Sequence, residues 1–138
     1  MKSKDRIYLE MALKWSENSK CTRKKVGALI VKDESIISDG YNGTPHGFDN
    51  QCEHVIDEEL VTKNNVLHAE SNAITKLAKS TRSSSGSDLY VTMMPCYDCS
   101  KLIIQADIKR VIYLEDYREK GGLLLLKEAK IQINKLKL

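Results

Sequence analysis

No stretch of this chain approaches the roughly 20 consecutive apolar residues that a membrane-spanning helix needs. Leu123 to Leu126 is the longest candidate, so a membrane partner is not expected. The amino-terminal Met1-Lys2-Ser3-Lys4-Asp5-Arg6 lacks the continuous apolar core of a secretory signal and leads into an amphipathic pattern. A cytoplasmic location is the expectation. Cysteine is sparse: there are four, two of them in Cys96-x-x-Cys99, and this usage reads as metal ligands in a reducing compartment rather than as disulfides. Excess charge is also slight, a net +3, which gives no argument for a nucleic-acid partner. Internal repeats and linkers are absent. Residues 1–138 therefore read as a single domain, with 41% hydrophobic and 30% charged residues, long enough to bury a core.

Lys and Arg are missing altogether from residues 33–61, which hold eight acids, whereas residues 1–32 carry nine bases against three acids. The acidic stretch reads as a solvated face. The alternative is that Arg23, Lys24 and Lys25 receive a phosphate while acids nearby hold a hard cation such as magnesium.

Periodicity outlines the elements. From Ser3 as N-cap, Ile7, Met11 and Trp15, with Tyr8 and Ala12, recur at helical spacing and predict a first helix ending near Ser19. Val26 to Val31 and Ser35 to Ser38, separated by a polar turn at Lys32-Asp33-Glu34, predict an antiparallel hairpin. Residues 40–66 read as a long polar loop, opened by Gly40-Tyr41-Asn42-Gly43-Thr44-Pro45. A second helix runs from His68 through Lys79, and a serine-rich connection spans Ser80 to Ser87. Leu89 to Met93 reads as a buried strand, Cys96 to Ala106 as a helix, Arg110 to Leu114 as a strand, Leu123 to Lys130 as a helix and Ile131 to Ile133 as a last strand. Strands and helices alternating after a hairpin imply a mixed sheet covered by helices, with sites at the carboxyl ends of its strands.

The residues with the most chemical content are His68-Ala69-Glu70 and Pro95-Cys96-Tyr97-Asp98-Cys99. Imidazole and two thiolates are three ligands of a hydrolytic zinc site, which leaves its fourth position to water. Cys96 and Cys99 at i and i+3 share one face of a helix start, where the helix dipole favours thiolate, and Pro95 suits the entry. Glu70 stands beside the metal without binding it, placed to take a proton from water and to return one to a leaving group. A structural zinc site is the competing reading of the same residues. It needs a fourth ligand, which Cys21, Cys52, His46 or His54 would supply. Cys21 and Cys52 read as small buried residues or, with His54, as a second, structural metal site.

The pairing of H-x-E with P-C-x-x-C is the signature of zinc nucleobase deaminases. Over nearly the whole chain the sequence resembles the cytidine and deoxycytidylate deaminase superfamily, and within it the short bacterial and phage deoxycytidylate (dCMP) deaminases. The resemblance is carried by Cys21-Thr22-Arg23 before Val26-Gly27-Ala28, by Gly40-Tyr41-Asn42-Gly43-Thr44-Pro45, and by His68-Ala69-Glu70 with Asn72-Ala73-Ile74. It continues through Leu89-Tyr90-Val91-Thr92, Pro95-Cys96-x-x-Cys99 and Leu102-Ile103-Ile104-Gln105. It implies a cytidine deaminase-like three-layer α/β/α sandwich with a mixed five-stranded sheet, and zinc-dependent hydrolysis of dCMP to dUMP and ammonia. It further implies a homohexamer activated by dCTP with Mg2+ and inhibited by dTTP, in the host cytoplasm for a phage chain. By the same resemblance the Ala69 N–H donates to the base O2 and the Pro95 carbonyl accepts from the amine. Asn42 reads either as a hydrogen-bond partner of the sugar or as a turn residue. Arg23, with Lys25 second, is the choice for the phosphate against plain solvated surface. Tyr113 and Tyr117 are candidates to stack on the nucleotide, Tyr113 equally a core residue of its strand. Asp107 stands where the family often has a helix-ending glycine. Rival readings are a tRNA adenosine, guanine or modified-dCMP deaminase, and a nucleotide-sensing domain without catalysis.

Overall fold

The computed structural model describes residues 4–138; Ser3, expected as the first N-cap, lies outside the described residues. Period-two alternation builds the centre of the fold. In β1 (Gly27–Lys32), Ala28 and Ile30 face one helical layer while Leu29 and Val31 face the other. The strands β5 (Asp88–Met93) and β6 (Arg110–Glu115) repeat the pattern: Leu89, Val91, Val111 and Tyr113 on one side, Tyr90 and Ile112 on the other. Strands buried on both faces need apolar residues at every position, which is why they are legible as continuous runs. With β2 (Ser35–Tyr41) and β7 (Gln132–Lys135) at the edges, the sheet order is β2-β1-β5-β6-β7. The pairs β2/β1 and β1/β5 are antiparallel, β5/β6 and β6/β7 parallel. The mixed five-stranded sheet expected from the sequence is present.

On one face lie α2 (Ala69–Leu77), α3 (Tyr97–Gln105) and α4 (Gly121–Glu128), contributing Ala73, Ile103 and Leu126 to the core. The other face is covered by α1 (Asp5–Trp15), through Leu9 and Ala12. The orientation of α1 differs in part from the sequence expectation: Ala12 is buried and Tyr8 packs against the core, but the rest of the expected stripe does not. Ile7, Met11 and Trp15 are exposed, and the buried stripe is Asp5, Leu9, Ala12 and Ser16. That stripe has helical spacing but polar ends, so hydrophobicity alone favours the wrong face. Asp5 is drawn inward by Arg110 and Tyr90, which meet it from the sheet.

A second difference lies in residues 40–66. Instead of one long loop, Glu53–Ile56 (β3) and Glu59–Thr62 (β4) form a separate antiparallel hairpin. Its turn residues Asp57 and Glu58 both have positive φ, as do Asp33 and Glu34 between β1 and β2. These are two-residue turns made with Asp-Glu rather than the favoured Asn-Gly, so the sequence signal is weak. Asp107, at the end of α3, is left-handed with φ 59°, the conformation that glycine adopts without strain.

Two contacts fix the helix that carries His68 and Glu70. A Cβ on Gly40 of β2 would collide with the Ala69 carbonyl oxygen and sit 2.7 Å from the Ala73 nitrogen. Ser38 Oγ donates to the Ala73 carbonyl at 2.6 Å. Gly40→Ala must push α2 off the sheet and is expected to cost about 1–3 kcal/mol or more in thermal unfolding. A melting temperature equal to the parent's would show that the helix has room to shift.

Candidate active site

His68 and Cys96 are the N-caps of α2 and α3, so two helix N-termini converge at the carboxyl end of β5. Each first turn has unpaired N–H groups that favour anionic side chains. His68 Nδ1 lies 3.4 Å from Cys96 Sγ and 3.3 Å from Cys99 Sγ. The Cys99 N–H donates to Cys96 Sγ at 3.5 Å. A tetrahedral zinc with ordinary bond lengths separates its nitrogen and sulfur ligands by about 3.5 Å. The donor set thus fits zinc in both chemistry and spacing.

The protonation of the cluster points the same way. The hydrogen bond from Cys99 is the main influence holding the Cys96 thiol well below its ordinary range, while the same bond and burial push Cys99 far up. His68 is raised first by its hydrogen bond to Cys96. A cation placed among the three would take over the stabilising part now played by protons.

Glu70 sits in the first turn of α2, 4% exposed, and burial pushes its carboxyl up to about 7. A carboxyl near neutrality both accepts and donates protons readily. It lines, with His68, Ala69 and Cys96, the floor of a cleft of about 470 Å³, within the range of small-molecule sites. Arg23, Lys24 and Asn42 form one part of the wall, and Tyr117 and Arg118 another.

The expected substrate-binding residues fare unequally. Arg23, Asn42, Ala69 and Tyr117 are at the cleft. Asn42 Oδ1 accepts from the Val26 N–H at 2.9 Å and its amide donates to the Lys24 carbonyl at 2.8 Å. Its side chain therefore braces the loop carrying Arg23 and Lys24, the turn role, with one amide proton to spare. Pro95 is buried, and its carbonyl packs where a Cβ on Gly122 of α4 would be 2.5 Å away. Two expectations are corrected. Tyr113 is 5% exposed within the core and donates to Asp116 rather than walling the cleft, since its strand position points it beneath α2 to α4. Lys25 is exposed and outside the cleft lining; the neighbouring Lys24 faces the cleft, pairing with Glu115.

The second proposed metal set does not assemble as read. Cys21 and Cys52 are joined in a disulfide, so the expectation of four thiols without disulfides is also corrected. A disulfide offers no thiolate. His54 is exposed, and Glu53 instead lies by the two sulfurs. The separation of 31 residues hides this pairing from local sequence reading.

Arg118, Glu53, Thr62 and Met93 are cleft residues that sequence reading missed, while Lys24 was weighed there for the phosphate together with Arg23 and Lys25. Arg118 adjoins Tyr117 just past β6, a strand end where ligand contacts concentrate, and that position was the available signal. Glu53 and Thr62 lie on the unforeseen hairpin. The Glu53 carboxylate accepts from the Thr22 N–H at 3.1 Å, the Thr22 hydroxyl at 3.0 Å and the Arg23 N–H at 3.0 Å. Arg23 Nη1 donates to Thr62 Oγ1 at 3.1 Å.

A family model described as the cytidine and deoxycytidylate deaminase zinc-binding region matches residues 2–115. The chain is 33% identical over 165 aligned residues to the deoxycytidylate deaminase of Enterobacteria phage T4, covering 91% of this chain and 86% of that one. It is 39% identical over 114 residues to the deoxycytidylate deaminase of Homo sapiens, covering 79% of this chain and 63% of the human one. The crystal structure of dCMP deaminase from the cyanophage S-TIM5, in complex with dCMP and dUMP, superposes with a TM-score of 0.91 at 43% identity. That match covers 99% of both chains.

Proposed function

The chain belongs to the cytidine and deoxycytidylate deaminase family, and from that premise we propose that residues 1–138 form one catalytic domain that hydrolyses dCMP to dUMP and ammonia. The observation that carries the reading is the meeting of His68, Cys96 and Cys99 beside buried Glu70 at the floor of a cleft rimmed by Arg23, Lys24 and Arg118. In this reading the three ligands hold zinc, which when bound supplies a Lewis acid that makes water a nucleophile near neutral pH.

The protein's own groups do the rest. Glu70 takes the proton of the water that attacks C4 of the cytosine ring and passes it to N3. It then assists proton delivery to the departing amine. The Ala69 N–H, at the start of α2, is the donor to O2, and the Pro95 carbonyl is the acceptor for the amine. Arg23 holds the 5′-phosphate, as its planar guanidinium suits a bidentate anion. Tyr117 packs on the nucleotide from the wall. Asn42 acts as a brace of that wall, its remaining amide proton directed to the sugar.

Regulation belongs to the same proposal: dCTP with Mg2+ activates and dTTP inhibits, as the family resemblance implies. Self-association into a hexamer is the expected assembly. The exposed line of Ile7, Met11 and Trp15 on α1 supports it, being an apolar stripe that a second copy would cover. No helix among the described residues is long and apolar enough to cross a membrane. A cytoplasmic site of action, without nucleic-acid partner, completes the reading.

The test is ammonia release from dCMP, deoxycytidine and CMP by zinc-loaded protein, with and without dCTP and magnesium, beside metal analysis. Rapid turnover of dCMP, rising with dCTP, and loss of turnover on chelation are expected. Equal turnover of deoxycytidine would show that the phosphate is not recognised. Activity on none of the three would overturn the assignment.

A further inference from the structure

Arg23 sits in the irregular segment between α1 and β1, where a long side chain on a loose backbone is a poor anion ligand. Ordering such a loop when substrate arrives costs affinity, and pre-ordering it recovers that affinity. The hairpin β3/β4 orders it. Glu53 takes the N–H groups of two consecutive residues, Thr22 and Arg23, together with the Thr22 hydroxyl. The adjacent Cys52 is bonded to Cys21. From the opposite strand Thr62 accepts from the Arg23 guanidinium, and Glu53 and Thr62 face one another in the register of the hairpin.

A carboxylate beside a phosphate site requires an explanation, because like charges repel. Here both Glu53 oxygens are engaged by donors of the 22–23 backbone and hydroxyl, and the guanidinium donates to the neutral Thr62. The carboxylate thus acts on the position of Arg23 while its own charge is partly offset by three donors.

We propose that Glu53 is a positioning residue for phosphate recognition: its carboxylate locks the Thr22–Arg23 backbone, and with Thr62 it aims the Arg23 guanidinium at the 5′-phosphate of the substrate. Specificity for a nucleotide over a nucleoside then depends on a hairpin that touches neither the metal ligands nor the reacting base. The inference rests on the assignment of the phosphate to Arg23.

The experiment compares kcat and KM for dCMP and deoxycytidine in the parent, Glu53→Ala, Glu53→Gln, Thr62→Val, Arg23→Ala and Arg23→Ala/Glu53→Ala. Glu53→Ala is expected to raise KM for dCMP by roughly tenfold, the scale of one charge-assisted contact, with kcat little altered and KM for deoxycytidine moving much less. Glu53→Gln, which keeps one acceptor oxygen, gives an intermediate rise. Thr62→Val, nearly isosteric, gives a smaller rise of the same kind and guards against a Glu53 variant that fails to fold. In the Arg23→Ala background, Glu53→Ala adds nothing further, since there is no guanidinium left to aim. If Arg23→Ala lowers the preference for dCMP while the Glu53 and Thr62 variants leave it intact, or if the Arg23 and Glu53 effects add, the positioning role is wrong and the phosphate assignment stands. If Arg23→Ala itself leaves the preference unchanged, the phosphate assignment falls and the positioning role with it.

Discussion

Glu70→Gln is expected to cut turnover of dCMP by about 10²–10⁴-fold, the range of a lost general acid–base group, while zinc content and nucleotide affinity stay near those of the parent. The amide has the shape of the carboxyl but no proton to exchange. At 4% exposure there is no room for bulk water to replace it as a base. The three ligand atoms of His68, Cys96 and Cys99 do not include Glu70, so metal retention is part of the expectation. Steady-state kinetics, equilibrium binding of dCMP to the variant and metal analysis check the three statements separately. Loss of zinc in Glu70→Gln would move Glu70 into the ligand set and leave the proton transfers without an owner. A variant with nearly full turnover would require a different base.

Arg110→Met is expected to cost about 3–5 kcal/mol of folding stability, the scale for removing one member of a buried ion pair. At about 3 °C per kcal/mol for a chain of this size, the melting temperature should fall by roughly 10 °C or more. Arg110 is 5% exposed at the start of β6, and its two terminal nitrogens donate to Asp5 at 2.7 and 3.3 Å. Its Nε is 3.4 Å from Asp88, and Tyr90 OH donates to Asp5 at 2.6 Å. Asp5 is wholly buried and Asp88 6% exposed, so the variant takes from two buried carboxylates the guanidinium that faces them. Burial and the Asp5 contact together push the Tyr90 phenol far above its ordinary range, so it stays a donor at any working pH. Because the cluster lies at the opposite end of the sheet from the zinc ligands, kcat measured well below the melting point should change little. An unchanged melting temperature would mean that α1 is held by its apolar contacts alone. Replacing Asp5 and Arg110 together by apolar residues should recover part of the loss, as the desolvation cost of the pair goes with it.

The same cluster explains why α1 was misread while the buried strands were not. A strand enclosed on both faces needs mostly apolar residues, and Leu89 to Met93 shows that in five letters. The face of a helix is chosen by what waits opposite. Hydrophobicity selects Ile7, Met11 and Trp15, but Arg110, distant in sequence, selects Asp5 and with it Leu9 and Ala12.

The grouping of His68, Cys96 and Cys99 beside Glu70 was legible because its geometry is local. Helix pitch puts Cys96 and Cys99 on one face, and one residue separates His68 from Glu70. Cleft wall residues have no such rule: whether Lys24 or Lys25 faces inward, and whether Tyr113 or Tyr117 meets the ligand, depends on loop direction and strand parity set by distant neighbours. The sequence by itself determined the His-Cys-Cys group with Glu70 beside it, the alternation of strands and helices and the family they belong to, since each rests on short-range periodicity or on residue chemistry at fixed spacing. Only the tertiary structure decided the buried face of α1, the Cys21–Cys52 bond, the β3/β4 hairpin and its hold on Arg23. Apart from the hairpin itself, whose Asp-Glu turn gives only a weak local signal, each of these joins segments tens of residues apart, where contact is governed by how the layers stack and not by the pattern within any one of them.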